Sequence, residues 1–194
     1  MQKTLFDHTT LCRVLSGPAN WILRLAGWRI EGTVPDLPKY VVIAAPHTSN
    51  WDFVIMLFAV MATRVPIHWL GKHTLFRKPF GSLFRWLGGI AIDRSKAGNA
   101  VAQMVEAFND NDRFVLAIPP EGSRSQVDRW KSGFYYVAKG ANVPLLLASL
   151  DYSKKVAGIG KVFYPTDDAE ADTERIRAFY ATVTGKFPQK KVSM

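Results

Sequence analysis

The sequence predicts an α/β fold, with a mixed, largely parallel central sheet flanked by helices. Three observations predict it. Short apolar, β-branched runs recur along the chain and alternate with longer segments of helical periodicity. Several of those runs, such as Tyr40–Ala45 and Phe114–Ile118, are apolar at nearly every position, as in strands covered on both faces. The 194 residues are 48% hydrophobic and 21% charged, enough apolar material for one core domain.

Residues 9–27 read as a helix with a break near Gly17-Pro18. Leu11, Leu15, Trp21, Ile22 and Leu25 are apolar, while Arg13 and Arg24 are basic. Packing on the core and lying flat on a bilayer share this periodicity, and both stay open. Residues 1–30 therefore form an N-terminal amphipathic helical segment, and 31–194 the main domain. The run after Lys39 is a buried strand that stops at Pro46. Residues 50–63 form a helix and Ile67–Leu70 a second strand. Residues 74–87 give one or two short helices, interrupted at Pro79-Phe80-Gly81. Ile90–Ile92 is the third strand, and residues 97–109 a helix. Phe114–Ile118 is the fourth strand, ending at Pro119-Pro120. Ser132–Lys139 is helical, Val143–Leu150 and Val156–Tyr164 are strands, and 168–184 is the last helix. In such sheets, ligand sites gather beyond the carboxyl ends of the strands.

Composition limits the function. The net charge of +9 favours polyanionic partners: nucleic acid, an anionic membrane surface or phosphorylated substrates. Six tryptophans beside this basic excess favour a membrane interface over nucleic acid. One cysteine, Cys12, excludes a disulfide scaffold. The longest apolar stretch, Phe53–Ala62, is well short of the ~20 residues a spanning helix needs, and Met1–His8 carries no signal-peptide apolar region. The expectation is a soluble or peripheral protein.

Three segments carry chemistry. The first is Pro46-His47-Thr48-Ser49-Asn50-Trp51-Asp52. On one helix, His47 and Asp52 would stand about 140° apart. With His47 in a turn ahead of the helix they can meet, and Asp52 then fixes the imidazole tautomer and leaves the other nitrogen as a base. The alternative is helix capping, with Ser49 as the N-cap and Asp52 in the first turn. The second segment, Gly88-Gly89-Ile90-Ala91-Ile92-Asp93-Arg94-Ser95, ends a strand with an arginine suited to phosphate or to pairing with Asp93. The third, Pro119-Pro120-Glu121-Gly122-Ser123-Arg124-Ser125, follows a strand. Gly122 permits close backbone approach, and Arg124 with the turn amides suits an anion. An ordinary polar connection accounts for its Gly and Ser but not for the Glu-Gly-x-Arg order. Between the first two, Lys72, Arg77, Lys78 and Arg85 interleave with Phe76, Phe80, Phe84 and Trp86. That pattern suits an anionic lipid surface, an acyl-chain groove, stacked bases or an amphipathic core pair. No His/Cys cluster has metal-ligand spacing.

Taken in order, these segments resemble the glycerophospholipid acyltransferase family, which includes the 1-acylglycerol-3-phosphate acyltransferases. The family shows His-x4-Asp, a Gly-x-Ile-x-x-x-Arg segment, Pro-Glu-Gly-Thr-Arg-Ser, and a strand opening with Val-Pro. Here these stand as His47/Asp52, Gly89–Arg94, Pro120–Ser125 and Val143-Pro144-Leu145. Trp130-Lys131-Ser132-Gly133 is similar to the Phe-Lys-x-Gly that follows the third motif. The resemblance covers about residues 40–150. Pro46, Pro119 and Ser123 depart from the usual Asn, aromatic and Thr.

The resemblance implies a glycerol-3-phosphate acyltransferase-like fold over residues 31–194. It implies transfer of a fatty acyl group from acyl-CoA or acyl carrier protein to the hydroxyl of a lysophospholipid such as 1-acylglycerol-3-phosphate. His47 would be the general base and Asp52 its partner. Arg94, Glu121, Gly122, Ser123 and Arg124 would bind the acceptor. No metal or cofactor beyond the co-substrate is expected, and no nucleic acid. The expected location is the cytoplasmic face of a membrane, peripheral or monotopic. A lyso-aminolipid or glycolipid acceptor, a non-catalytic lipid-binding role, and a hydrolase using Ser49 are the alternatives.

Overall fold

A computed structural model describes residues 3–92, 97–123 and 129–190, with only the backbone of 97–99. Seven strands form one sheet in the order β1-β7-β6-β2-β5-β3-β4. They are β1 (Arg29–Glu31), β2 (Lys39–Ala45), β3 (Ile67–Lys72), β4 (Gly89–Ile92), β5 (Phe114–Ile118), β6 (Leu145–Asp151) and β7 (Val156–Phe163). The helices are α1 (Thr9–Leu25), α2 (Trp51–Thr63), α3 (Gly81–Trp86), α4 (Ala97–Asn109), α5 (Gly133–Gly140) and α6 (Ala169–Tyr180). Every neighbouring pair is parallel except β6 and β7, which form an antiparallel hairpin. The sheet is mixed and largely parallel, as the sequence predicts.

The period of two along a strand assigns the two faces. Val41 and Ile43 of β2 join Phe114 and Leu116 of β5 in a core with Met104 and Phe108 of α4, Phe134 and Val137 of α5, and Ile176 and Tyr180 of α6. Tyr40 and Val42 point the other way. With Val115, Ala117, Ile67 and Trp69 they meet Leu5, Phe6 and Cys12 near α1 and Val60 of α2. Strands covered on both sides have no polar face, hence their continuous apolar runs.

Four expectations need correction. The helix 9–27 has no break: α1 runs unbroken through Pro18. The carbonyl that Pro18 leaves unpaired belongs to Val14, which is 64% exposed, so water can serve it. The fifth predicted strand begins at Leu145, because the Val143 N–H closes α5 on the Ala138 carbonyl and Pro144 has no N–H. The last helix ends at Tyr180. Strand β1, too short to show a period, escaped the sequence. It pairs with Val156–Gly158 at the sheet edge. Gly32 follows it at φ 93°, where a Cβ would run into the Ile159 carbonyl.

The tryptophans divide. Trp21 (63%), Trp51 (57%) and Trp86 (38%) are exposed, whereas Trp28 and Trp69 are buried. The six tryptophans are thus not all available to an interface, and the Trp28 ring packs edge-on against Tyr152. Outward along α1, Val14, Trp21 and Leu25 recur at helical spacing, while Cys12, Ala19 and Leu23 face in. The helix packs its inner face on the core and leaves an apolar stripe exposed. Phe80, Leu83 and Leu75 are also exposed, but Phe76 is core.

Three adjacent strands position the site. β6, β2 and β5 run parallel, so their carboxyl ends lie along one edge of the sheet. The connections leaving them carry residues 46–50, 119–123 and 152–155.

Candidate active site

The turn between β2 and α2 places His47 ahead of the helix, where it can face Asp52. Its Nδ1 lies 3.1 Å from Asp52 Oδ2. The same oxygen accepts the backbone N–H groups of Thr48 and Ser49, each at 2.8 Å. Ser49 Oγ in turn accepts the Trp51 N–H at 3.1 Å, at the head of α2. The N-cap is Asn50, not Ser49, and its side chain makes no cap bond; of the capping alternative there remains the Ser49 N–H held by Asp52, on the same oxygen that faces His47. Asp52 is only 4% exposed. Burial alone would raise its pKa. The hydrogen bonds from His47, Tyr152 and Ser49 outweigh burial and hold the carboxyl below its usual value.

The β5–α5 connection braces the base from behind. Glu121 is 3% exposed, and its Oε1 accepts the His47 backbone N–H at 3.2 Å. Its Oε2 is buried without a partner among the described residues. Glu121 is thus turned toward the backbone of the base, while its neighbours Gly122 and Ser123 line the adjacent cavity. Gly122 takes φ 65°, a left-handed conformation suited to glycine, and its N–H donates to the Pro119 carbonyl at 3.0 Å. Arg94 and Arg124, the two arginines expected at the acceptor, lie outside the described residues.

Burial pushes the Glu121 carboxyl above its usual value of 4.5, against the hydrogen bonds from its own and the His47 backbone. A carboxyl raised on folding binds its proton more tightly in the native state, so stability falls as pH climbs from 4.5 through the raised value. Glu121→Gln has no such loss. Its melting temperature should therefore gain on the wild type between pH 4.5 and pH 7. A gap that stays constant across that range would contradict the assignment.

His47 and Asp52 stand at one end of a cavity of about 1060 Å³. The cavity runs between α2 and the sheet. Phe53, Met56, Ala59, Val60 and Thr63 line it from the helix, at the spacing of one face. Val42, Ala44, Ala117, Leu146 and Ala148 line it from the sheet. Register sets Val42 beside Ala117 and Ala44 beside Ala148, so small side chains gather near the carboxyl edge and leave space. From the dyad to Thr63 the helix offers about 18 Å of such wall, at 1.5 Å per residue.

Sequence reasoning missed two parts of the site. Alanines in β2, β5 and β6 carry no mark of a cavity until register aligns them. Tyr152, whose hydroxyl donates to Asp52 Oδ1 at 2.6 Å, lies 100 residues away in sequence. No spacing rule could have found it.

Known proteins resemble this chain in sequence and in fold. The 1-acyl-sn-glycerol-3-phosphate acyltransferase of Streptococcus pneumoniae is 29% identical over 129 residues, which are 61% of this chain and 47% of that protein. The chain thus spans about half the length of the curated relative it matches. The crystal structure of the 1-acyl-sn-glycerophosphate acyltransferase PlsC from Thermotoga maritima superposes with a TM-score of 0.61, covering 90% of this chain and 82% of that one. At 15% identity that likeness is one of fold. The acyltransferase family model matches residues 29–149, the stretch that holds the dyad, the second and third motifs and the strands beneath them, and the chain belongs to that family.

Proposed function

We propose that this chain transfers a fatty acyl group from an acyl thioester to the hydroxyl of a lysophospholipid such as 1-acylglycerol-3-phosphate. The observation that carries the proposal is an Asp-oriented histidine opening onto a long apolar cavity. With Nδ1 engaged by Asp52, His47 offers Nε2 to a substrate hydroxyl. As the hydroxyl oxygen attacks the thioester carbonyl, its proton passes to Nε2. Asp52 stabilises the imidazolium. The C–S bond then breaks, and the leaving thiolate takes that proton back. The cavity along α2 takes the acyl chain, and its volume lies just above the ~300–1,000 Å³ common for small-molecule sites. Arg94, Gly122, Ser123 and Arg124 hold the acceptor's anionic headgroup. Glu121 supports the base through its backbone.

The acceptor resides in a bilayer, so the protein works at a membrane surface. No helix among the described residues is long and apolar enough to cross one. Contact comes from the exposed stripe of α1 and from the segment Lys72–Trp86. Both set apolar side chains beside basic ones, each basic residue contributing about 1 kcal/mol near anionic lipid.

One experiment tests both parts. Purified protein is given acyl-CoA or acyl carrier protein thioester, with 1-acylglycerol-3-phosphate in vesicles of increasing anionic content. Mass spectrometry should detect the diacylated product, and sedimentation with vesicles should rise with anionic lipid and fall partly in high salt. Thioester hydrolysis without acyl transfer would overturn the function. Binding indifferent to lipid charge would overturn the membrane contact. Preferential acylation of a lyso-aminolipid would move the acceptor to the alternative class.

A further inference from the structure

The hairpin joining β6 to β7 brings a tyrosine to the dyad and fixes it there from several sides. Asp151 Oδ1 accepts the Ser153 N–H at 3.0 Å and the Ser153 hydroxyl at 2.6 Å, which shapes the turn. The Tyr152 N–H donates to the Thr184 carbonyl at 2.9 Å, tying the turn to the segment after α6. The Tyr152 ring meets Trp28 edge-on, with centroids 4.9 Å apart and planes at 88°. Trp28 is itself buried with Leu23 at the end of α1 and Ile55 of α2. A ring clamped this way has little freedom to move its hydroxyl. That hydroxyl is spent on Asp52 Oδ1, at 2.6 Å.

The division of labour on Asp52 is informative. Oδ2 takes the imidazole and two backbone N–H groups. Oδ1 takes Tyr152. A buried carboxylate whose second oxygen has no donor either draws in a proton or turns to find one. Both would spoil the support of His47. Tyr152 does not line the cavity, so its effect on chemistry runs through Asp52 and not through substrate.

We propose that Tyr152, buttressed by Trp28, is a positioning residue of this site: it keeps Asp52 ionised and its plane aligned so that Oδ2 faces His47. The link to turnover rests on the acyl-transfer reading above, whereas the link to Asp52 does not. The charged and titratable groups around Asp52 are His47 from its own turn, Glu121 from the β5–α5 connection and Tyr152 from the hairpin. Lys186, from the segment after α6, sits with its Nζ 4.9 Å from the Trp51 ring, and Lys190 lines the cavity. The hydrogen bond to Tyr152 is one of the causes that hold the Asp52 carboxyl below its usual value, and the same bond and burial hold the tyrosine hydroxyl protonated.

The test is Tyr152→Phe, which keeps the ring against Trp28 and removes only the oxygen. Two measurements separate the claims. Titration of the Asp52 carboxyl carbon by NMR, without substrate, should show its pKa raised in the variant. An unchanged titration in folded variant protein would overturn the proposal whatever the protein catalyses. In acyl-transfer assays, kcat should fall about tenfold with KM held, and the acidic limb of the kcat profile should move to higher pH. A uniform loss at every pH would signify a merely structural role and overturn the proposal. In an Asp52→Asn background, Tyr152→Phe should cost much less than it does in the wild type, because the carboxylate it acts through is gone. An additive loss would count against it. If no variant, nor the wild type, transfers an acyl group while the Asp52 titration still shifts, the acyl-transfer reading fails and the positioning of Asp52 stands. Should Tyr152→Phe not fold, Trp28→Phe perturbs the same clamp from the ring side, and an unshifted Asp52 titration there would overturn the buttress.

Discussion

Replacing His47 by alanine should cost about 10²- to 10⁴-fold in kcat, the range for loss of a general base. The expectation is specific because the rest of the turn survives the change. Asp52 keeps the Thr48 and Ser49 N–H groups and the Tyr152 hydroxyl. The backbone N–H at position 47 still donates to Glu121. The imidazole side chain is 21% exposed, so no large core volume is lost. The melting temperature should accordingly move little while turnover collapses. If His47→Ala turned over acceptor at a near-normal rate, the histidine would not be the base.

Asp52→Asn should be nearly as damaging, about 10²- to 10³-fold, by a different route. Three donors converge on Oδ2, two of them backbone N–H groups that cannot move away. Asparagine must therefore present its oxygen to them and its NH₂ group toward Tyr152. The imidazole keeps its tautomer. What disappears is the negative charge that stabilises the imidazolium, so the loss falls on kcat with KM nearly unchanged. A second readout follows from linkage. The Asp52 carboxyl is held below its usual value of 3.8, so it contributes stability above pH 3.8 that is lost as pH falls through the lowered value. The asparagine variant lacks that acid-side loss. Denaturation curves of the two proteins should converge as pH drops below 3.8. Full turnover in Asp52→Asn would sink the dyad.

Much of the fold was legible because strands covered on both faces announce themselves. Tyr40–Ala45 and Phe114–Ile118 have no polar alternation to confuse with a helix, and Pro46 and Pro119 close both runs. β1 was invisible for the opposite reason: in three residues, two exposed and one half-buried, the pairing to β7 is made by backbone alone. Pro18 misled because its cost depends on whether the freed carbonyl meets water, which composition does not state. The dyad was legible as a spacing, and the capping alternative could not be decided from spacing, since both use Asp52. The cavity wall and Tyr152 were beyond reach. Both arise from strand register and a hairpin that bring residues distant in sequence beside β2 and α2.

The shared carboxylate at the head of α2 also fixes what the turn can tolerate. One residue inserted between Ser49 and Asp52 would rotate the helix by about 100° and advance it 1.5 Å. That single slip would take Asp52 away from the imidazole, both backbone donors and Tyr152 together. Asn50 and Trp51, by contrast, are exposed, and neither side chain takes part in these bonds. The length of this spacer is therefore the protected quantity and its content is not. Side-chain substitutions at 50 and 51, proline aside, should leave the Asp52 bonds intact, whereas any insertion or deletion there should disable the base and loosen the helix start in the same stroke.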